Sequence, residues 1–292
     1  MNDMFFETLS GMGQKLDFES TWNFGGVLGT MLWATLPGRK TETIDAVYAR
    51  LGKPLPIAEA IAKQSFAHNS RSFLEIFCNR RIDHRFYHDQ LTFQNPEQLA
   101  DIQAADRPVV AVTAHLGSWE LLVGLFNFFF PQRGAQVVVR KQRNPALDTM
   151  IHRLRSRPGV DIVPHRNATR KVLKNLSRKG VTAFLVDHNC SRDEAVFLPF
   201  LGKTAAVNLG PALLALRSEA LVWPVFLLRR GKGRYEFVSH KPLDTKTLKG
   251  DRRTQVENIA RFYTQAVAER VRSDPEQWFW MHRRWKTQPE KR

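Results

Sequence analysis

His115 and Glu120 are the residues of this sequence whose types and spacing most directly suggest chemistry. They end the segment Ala111-Val112-Thr113-Ala114-His115-Leu116-Gly117-Ser118-Trp119-Glu120, which contains most of the apolar run Val109 to Thr113. The run predicts a strand buried in a sheet, and Ser118 with Glu120 reads as a helix start. His115 then leaves the carboxyl end of that strand, where open α/β sheets place ligands. A histidine and an acid five residues apart cannot share one face of a continuous helix. With a turn between them, the carboxylate can reach back to one imidazole nitrogen. That contact fixes the tautomer, stabilises the imidazolium and leaves the other nitrogen free to take a proton from a hydroxyl. With nine histidines and about a tenth of the chain acidic, one such pair is expected by chance. Its place after a buried strand, with a Gly-Ser turn inside it, sets this one apart. The backbone N–H groups of Gly117 and Ser118 are candidate donors to an oxyanion. Phe126, Phe128, Phe129 and Phe130 read either as core packing or as the lining of an apolar pocket or a membrane-facing rim.

The elements that must position these residues follow from periodicity. From residue 41 to 79 the apolar positions fall at helical spacing (Ile44, Val47, Tyr48, Leu51, then Ile57, Ile61, Phe66, Phe73, Leu74, Phe77). From Pro108 the pattern changes to short apolar runs separated by helical stretches. The expected strands are Val109 to Thr113, Ala135 to Val139, Val181 to Val186, Leu221 to Leu228 and Tyr235 to Ser239. The expected helices cover 118–129, 145–155, 169–178, 207–217 and 253–272. This alternation predicts an α/β fold, with a mixed, mostly parallel central sheet flanked by helices and an N-terminal helical layer laid against it. The organisation expected is a membrane-interacting segment over 1–40, a helical layer over 41–105 and a catalytic core over 106–292.

Composition narrows the partners. Forty-four Lys and Arg against twenty-eight Asp and Glu leave a net charge of +16, which points to a polyanion: nucleic acid, an anionic membrane surface or a phosphorylated substrate. Cys78 and Cys190 form no CxxC pair, which argues against a disulfide framework or structural zinc and for a reducing compartment. The apolar stretch Trp22 to Leu36 is shorter than the ~20 residues a spanning helix needs. Asp3, Glu7, Asp17 and Glu19 precede it where a signal peptide would be basic. An interfacial or re-entrant helix fits it better, with an ordinary packed helix as the alternative.

Five segments together resemble one family. The His-x4-acid motif of His115 and Glu120 is that of the glycerolipid acyltransferase superfamily. Val138-Val139-Arg140-Lys141-Gln142-Arg143-Asn144-Pro145-Ala146-Leu147-Asp148 resembles a strand-to-helix segment with an Arg four residues before Asn-Pro. Ala183-Phe184-Leu185-Val186-Asp187-His188-Asn189 places an Asp after a buried strand. Val196-Phe197-Leu198-Pro199-Phe200-Leu201-Gly202 has the Phe-x-Pro-Phe-x-Gly pattern. The run from Pro275 to Thr287 resembles the C-terminal signature. In this order, over about residues 30 to 290, the chain is similar to the bacterial lipid A biosynthesis acyltransferases. The resemblance implies transfer of a fatty acyl chain from acyl carrier protein or coenzyme A to a hydroxyl of a lipid A precursor or related glycolipid. His115 would be the general base and Glu120 its orienting acid. Arg140, Asp187, Ser118 and Asn144 would bind substrate: Arg140 a phosphate, and Asp187 the acceptor, unless it pairs with Arg140. No cofactor and no metal are expected, because the thioester is already activated. The implied location is the cytoplasmic face of the bacterial inner membrane, with peripheral or partial insertion among anionic lipids. Two features depart from the pattern. The N-terminal region is shorter than in relatives with a full anchor, and a Cys190-Ser191-Arg192 run replaces a Gly-containing turn, which leaves acceptor specificity open.

Two other classes compete. The charge and the basic, aromatic stretch Trp278 to Lys286 would suit single-stranded nucleic acid, or equally an anionic headgroup region. No RNP-type motif, C2H2 spacing or heptad-linked basic region accompanies it, so no nucleic-acid partner is expected. A metal-dependent hydrolase would use His115, Glu120, Asp187 and His188 as ligands, though they follow no recognised ligand spacing.

Overall fold

A computed structural model describes residues 3–156 and 159–290. Helices α1 (Asp3–Gly13), α2 (Phe18–Thr35), α3 (Pro37–Leu51) and α4 (Leu55–Glu75) come first. Strand β1 (Leu91–Gln94) and helix α5 (Pro96–Ala104) precede the alternating part: β2 (Val109–Thr113), α6 (Leu122–Phe129), β3 (Ala135–Val139), α7 (Pro145–Arg155), β4 (Val160–Pro164), α8 (Ala168–Leu176) and β5 (Val181–Leu185). The hairpin β6 (Ala195–Phe200) and β7 (Lys203–Asn208) leads into α9 (Gly210–Arg217), β8 (Leu221–Gly231), β9 (Arg234–Ser239), β10 (Leu243–Asp244) and α10 (Arg252–Ser273). The main sheet has the order β1-β9-β8-β2-β5-β3-β4, with β10 against β8. All neighbours are parallel except β9 and β10 on β8. The fold is thus α/β with a mostly parallel sheet, as the alternation of elements predicts.

The sheet is buried on both faces, which is why its central strands are unbroken apolar runs. Val110 and Val112 of β2 join Val222, Phe226 and Leu228 of β8 in one core. Val109 and Ala111 join Trp223, Val225 and Leu227 in the other. This is the two-residue alternation of a strand, applied to two hydrophobic layers. Phe126, Phe129 and Phe130 lie in the second core and are buried, so packing explains this part of the aromatic cluster.

The N-terminal helices form a layer built on α4. A Cβ at Gly25 or Gly29 of α2 would lie 2.5 Å or less from Arg71 or Ala67 of α4, so these glycines let the two helix backbones touch. The opposite side of α2 leaves Phe24, Val27 and Met31 more than half exposed. Phe6 of α1 packs with Met150 and Leu154 of α7. No helix among the described residues is long and apolar enough to cross a membrane.

Several elements differ from the sequence expectation. β1 and β4 join the sheet although neither stretch reads as a strand. The segment 195–208 folds into a hairpin, with Leu201 and Gly202 both at positive φ in its turn. Helix α6 begins at Leu122, not at Ser118, and has no side-chain cap.

Candidate active site

The parallel strands β2, β5, β3 and β4 deliver His115, Asp187 with His188, Arg140, and His165 with Arg166 to one edge of the sheet. β2 and β5 are hydrogen-bonded neighbours, paired through Thr113 and Leu185. That adjacency brings His115 and Asp187 together across 72 residues of sequence. Nδ1 of His115 lies 2.9 Å from Oδ1 of Asp187, and the backbone N–H of His115 donates to Oδ2 at 2.9 Å. Trp278 Nε1 donates to the same Oδ2 at 2.8 Å. Burial alone would raise the pKa of Asp187, but the His115 imidazole, with a smaller contribution from His282, holds it well below the usual carboxylate range. An ionised Asp187 accepts only, so Nδ1 of His115 carries the proton and Nε2 presents a lone pair. The His115 side chain is 30% exposed, so the base is open to a substrate while its partner is wholly enclosed.

Glu120 makes no hydrogen bond to His115 among the described residues. Its carboxylate accepts from Arg155 at the end of α7, Nε to Oε2 at 2.8 Å and Nη2 to Oε1 at 2.5 Å. Burial works against the Arg155 charge, but Glu120 outweighs it and the guanidinium pKa is raised. The expected helix start at Ser118, which would have aimed the acid backwards, is a turn instead. Gly117 sits there at φ +64, and its N–H donates to Gln277 O at 3.0 Å. Ser118 N–H donates to Leu227 O at 2.7 Å. Both backbone donors proposed for an oxyanion are therefore engaged within the protein.

Ser118 is fully buried and its hydroxyl donates to Glu75 Oε1 at 3.2 Å, so it braces the turn and does not face a ligand. Asn144 caps α7, its Oδ1 accepting from Leu147 N at 3.1 Å. Arg140 is exposed and has no hydrogen bond or ion pair to Asp187 or any other described residue. It stands with Lys141, Arg143, His165 and Arg166, all exposed, in a basic row beyond β3 and β4. His188 turns Nδ1 toward Leu185 O at 3.1 Å. With Glu120 committed to Arg155, the four residues of the hydrolase reading do not gather around a point. Among the described residues no three His, Cys, Asp or Glu side chains are arranged to hold a metal ion.

Sequence reasoning missed the supports. On α4, Ser65, Asn69, Ser72 and Glu75 are all buried and line one face. Ser65 Oγ donates to Trp278 O at 2.7 Å, and Ser72 Oγ to Gly117 O at 2.8 Å. Glu75 accepts from Arg229 Nε at 2.8 Å, in an ion pair whose side chains are at most 2% exposed. Polar residues at helical spacing inside an apolar stretch were the signal. The C-terminal stretch also differs from expectation. Trp278, Trp280 and Arg284 are buried, so it offers neither a stacking platform for nucleic acid nor a headgroup belt. It runs beside the catalytic turn, Phe279 N–H donating to His115 O at 2.9 Å, and Arg284 Nη1 anchors it to Ala206 O on β7 at 2.5 Å.

Comparison with known proteins identifies the family. The family model of bacterial lipid A biosynthesis acyltransferases matches residues 52–287. A lipid A biosynthesis lauroyltransferase of Escherichia coli is 30% identical over 198 residues, covering 66% of this chain and 61% of that protein. A lipid A biosynthesis acyltransferase of Haemophilus influenzae is 28% identical over 63% of this chain and 57% of its own. A palmitoleoyltransferase of Escherichia coli is 24% identical over 66% and 60%. The matched stretch thus spans about three fifths of these relatives' length. With a family match across most of the chain, from the α4 layer to the C-terminal segment, the protein belongs to the bacterial lipid A biosynthesis acyltransferase family.

Proposed function

We propose that this protein transfers a fatty acyl group from an acyl thioester to a hydroxyl of a lipid A precursor or a related glycolipid, with His115 as general base and Asp187 orienting it. The observation that carries this reading is the contact between His115 Nδ1 and the buried Asp187, which leaves Nε2 free at the open edge of the sheet. Nε2 takes the proton of the acceptor hydroxyl as its oxygen attacks the thioester carbonyl. The tetrahedral intermediate collapses, the carbon–sulfur bond breaks, and the imidazolium returns the proton to the departing thiolate. Asp187 stabilises the imidazolium between these steps. Glu120 contributes through Arg155, tying the end of α7 to the turn that carries the base.

The donor is acyl carrier protein or coenzyme A. Both are anionic and suit a chain of net charge +16. Arg140 and its basic neighbours suit a phosphate of the acceptor or of the donor's phosphopantetheine, since a guanidinium binds phosphate through two parallel hydrogen bonds. We place the enzyme peripherally on the cytoplasmic face of the inner membrane, with the exposed Phe24, Val27 and Met31 of α2 dipping into the interface and basic charge adding attraction. The test is to incubate purified protein with acyl carrier protein or coenzyme A thioesters and a lipid A precursor, and to read products by mass spectrometry. One added acyl chain per acceptor is expected. Hydrolysis of the thioester with no acylated acceptor, across precursor, glycolipid and aminolipid substrates, would overturn the reading.

A further inference from the structure

His282 has no part in the reaction described so far, yet it is held against its centre. Its ring is edge-on to Trp278, with centroids 4.7 Å apart, and lies 6.3 Å from the His115 ring. The side chain is 14% exposed, and Nε2 is 3.7 Å from Asp187 Oδ2. Neither ring nitrogen has a hydrogen-bond partner among the described residues. A buried polar group without a partner is costly, and one that persists beside a reacting centre calls for a use there.

The use follows from the valence of Asp187. A carboxylate has about four acceptor directions. Oδ1 accepts from His115 Nδ1 alone, while Oδ2, the oxygen nearest His282, accepts from both the His115 backbone N–H and Trp278 Nε1, so the direction still open lies on Oδ1. We propose that His282 is a positioning residue that donates from Nε2 to Asp187, sharing the carboxylate with His115 and so limiting how tightly His115 holds its proton. The inference rests on the reading of His115 as the base. To donate, Nε2 must close its present 3.7 Å separation from the carboxylate and swing to the open side of Oδ1. Without this donor the carboxylate interacts with His115 alone, the imidazolium is over-stabilised, and the base becomes available only at higher pH.

The other charged groups facing this point are few. His188 follows Asp187 from β5, and Arg284, buried and anchored to Ala206, comes from the C-terminal segment. α4 presents only the uncharged Ser65 and Asn69 at Trp278 O. None of these changes in a His282 variant.

The experiment compares wild type with His282→Phe, which keeps the packing on Trp278, and His282→Gln, which places an amide N–H near the level of Nε2. Two readouts are taken: the pH dependence of kcat, and the titration of the His115 ring followed by 15N NMR. In His282→Phe the acid limb and the His115 titration are expected to move up by about one pH unit, which is about a tenfold loss of rate below the limb and little change above it. His282→Gln should return both close to wild type. If the Phe ring disturbs folding, His282→Asn, whose amide is too short to reach, should show the same shift. A folded His282→Phe or His282→Asn with unchanged His115 titration would overturn the proposal. Turnover retained by His115→Ala would instead remove the base assignment, while the NMR titration would still judge His282.

Discussion

Gly117→Ala should damage this protein more than any other single methyl group added to the catalytic turn. The new Cβ would lie 2.1 Å from Leu227 O, nearly an ångström inside the 3.0 Å that real contacts respect. The backbone is also left-handed there, at φ +64, which costs a non-glycine residue about 1–2 kcal/mol. Relief requires the turn and β8 to separate, which stretches the hydrogen bond from Ser118 N to Leu227 O, now 2.7 Å and worth about 1 kcal/mol. The sum is about 2–4 kcal/mol once residual overpacking is included, or about 3–7 °C in Tm for a chain of this size. Displacing His115 by about 1 Å would further cost about 100-fold in turnover. Gly202→Ala is the control: φ is +76 but nothing lies within 4 Å of the new Cβ, so only the conformational cost applies and activity should be kept. Thermal unfolding and acyl-transfer rates on both variants decide. If Gly117→Ala costs no more than Gly202→Ala in either measurement, the close approach of the turn to β8 is not what holds the base.

Three further outcomes are expected. Glu120→Ala leaves Arg155 buried without its partner and should cost about 3–5 kcal/mol in urea unfolding, much of it recovered in Glu120→Leu with Arg155→Met; equal losses in the single and double variants would contradict a role through Arg155. Burial first, then Arg229 and Arg71, lowers the His68 pKa to about 2. The folded value is below the unfolded one, so stability is fully present above pH ~6.5 and declines as pH falls, by at most about 1.4 kcal/mol per pH unit; His68→Gln should flatten the unfolding free energy between pH 6.5 and 5, and an unchanged slope would assign it elsewhere. Replacing Phe24, Val27 and Met31 by Ser should weaken flotation with anionic vesicles and make the residual binding strongly salt-sensitive; flotation identical to wild type at every salt concentration would remove α2 from the membrane contact.

What was legible in the sequence were the local signals. β2 and β3 were found to the residue because their apolar runs are bounded, and α7 because Asn144-Pro145 marks its start. β4 was missed because Val160-Asp161-Ile162-Val163-Pro164 is short and broken by a charge, and the hairpin because Pro199 interrupts β6. The site divides in the same way. His115 and Asp187 each stood out at a strand end, but their pairing depends on β2 lying beside β5, which no local pattern encodes. The nearest acid in sequence, Glu120, was therefore expected to make the contact that a residue 72 positions away makes in the structure. Trp278 to Lys286 looked like a surface segment because of its charges, yet the hairpin and α4 cover its aromatics and leave Arg284 only 1% exposed.

The central claim is that His115, held by Asp187, takes the proton of the acceptor hydroxyl. The most direct test is steady-state acyl transfer from a thioester to a lipid A precursor by purified His115→Ala and Asp187→Asn, with folding verified by circular dichroism and thermal melting. The loss of a general base predicts a fall of about 10²–10⁴-fold in kcat for His115→Ala, with KM little changed. Asp187→Asn should also fall steeply, because the amide supports the wrong tautomer. A folded His115→Ala protein turning over at a near-normal rate would contradict the account.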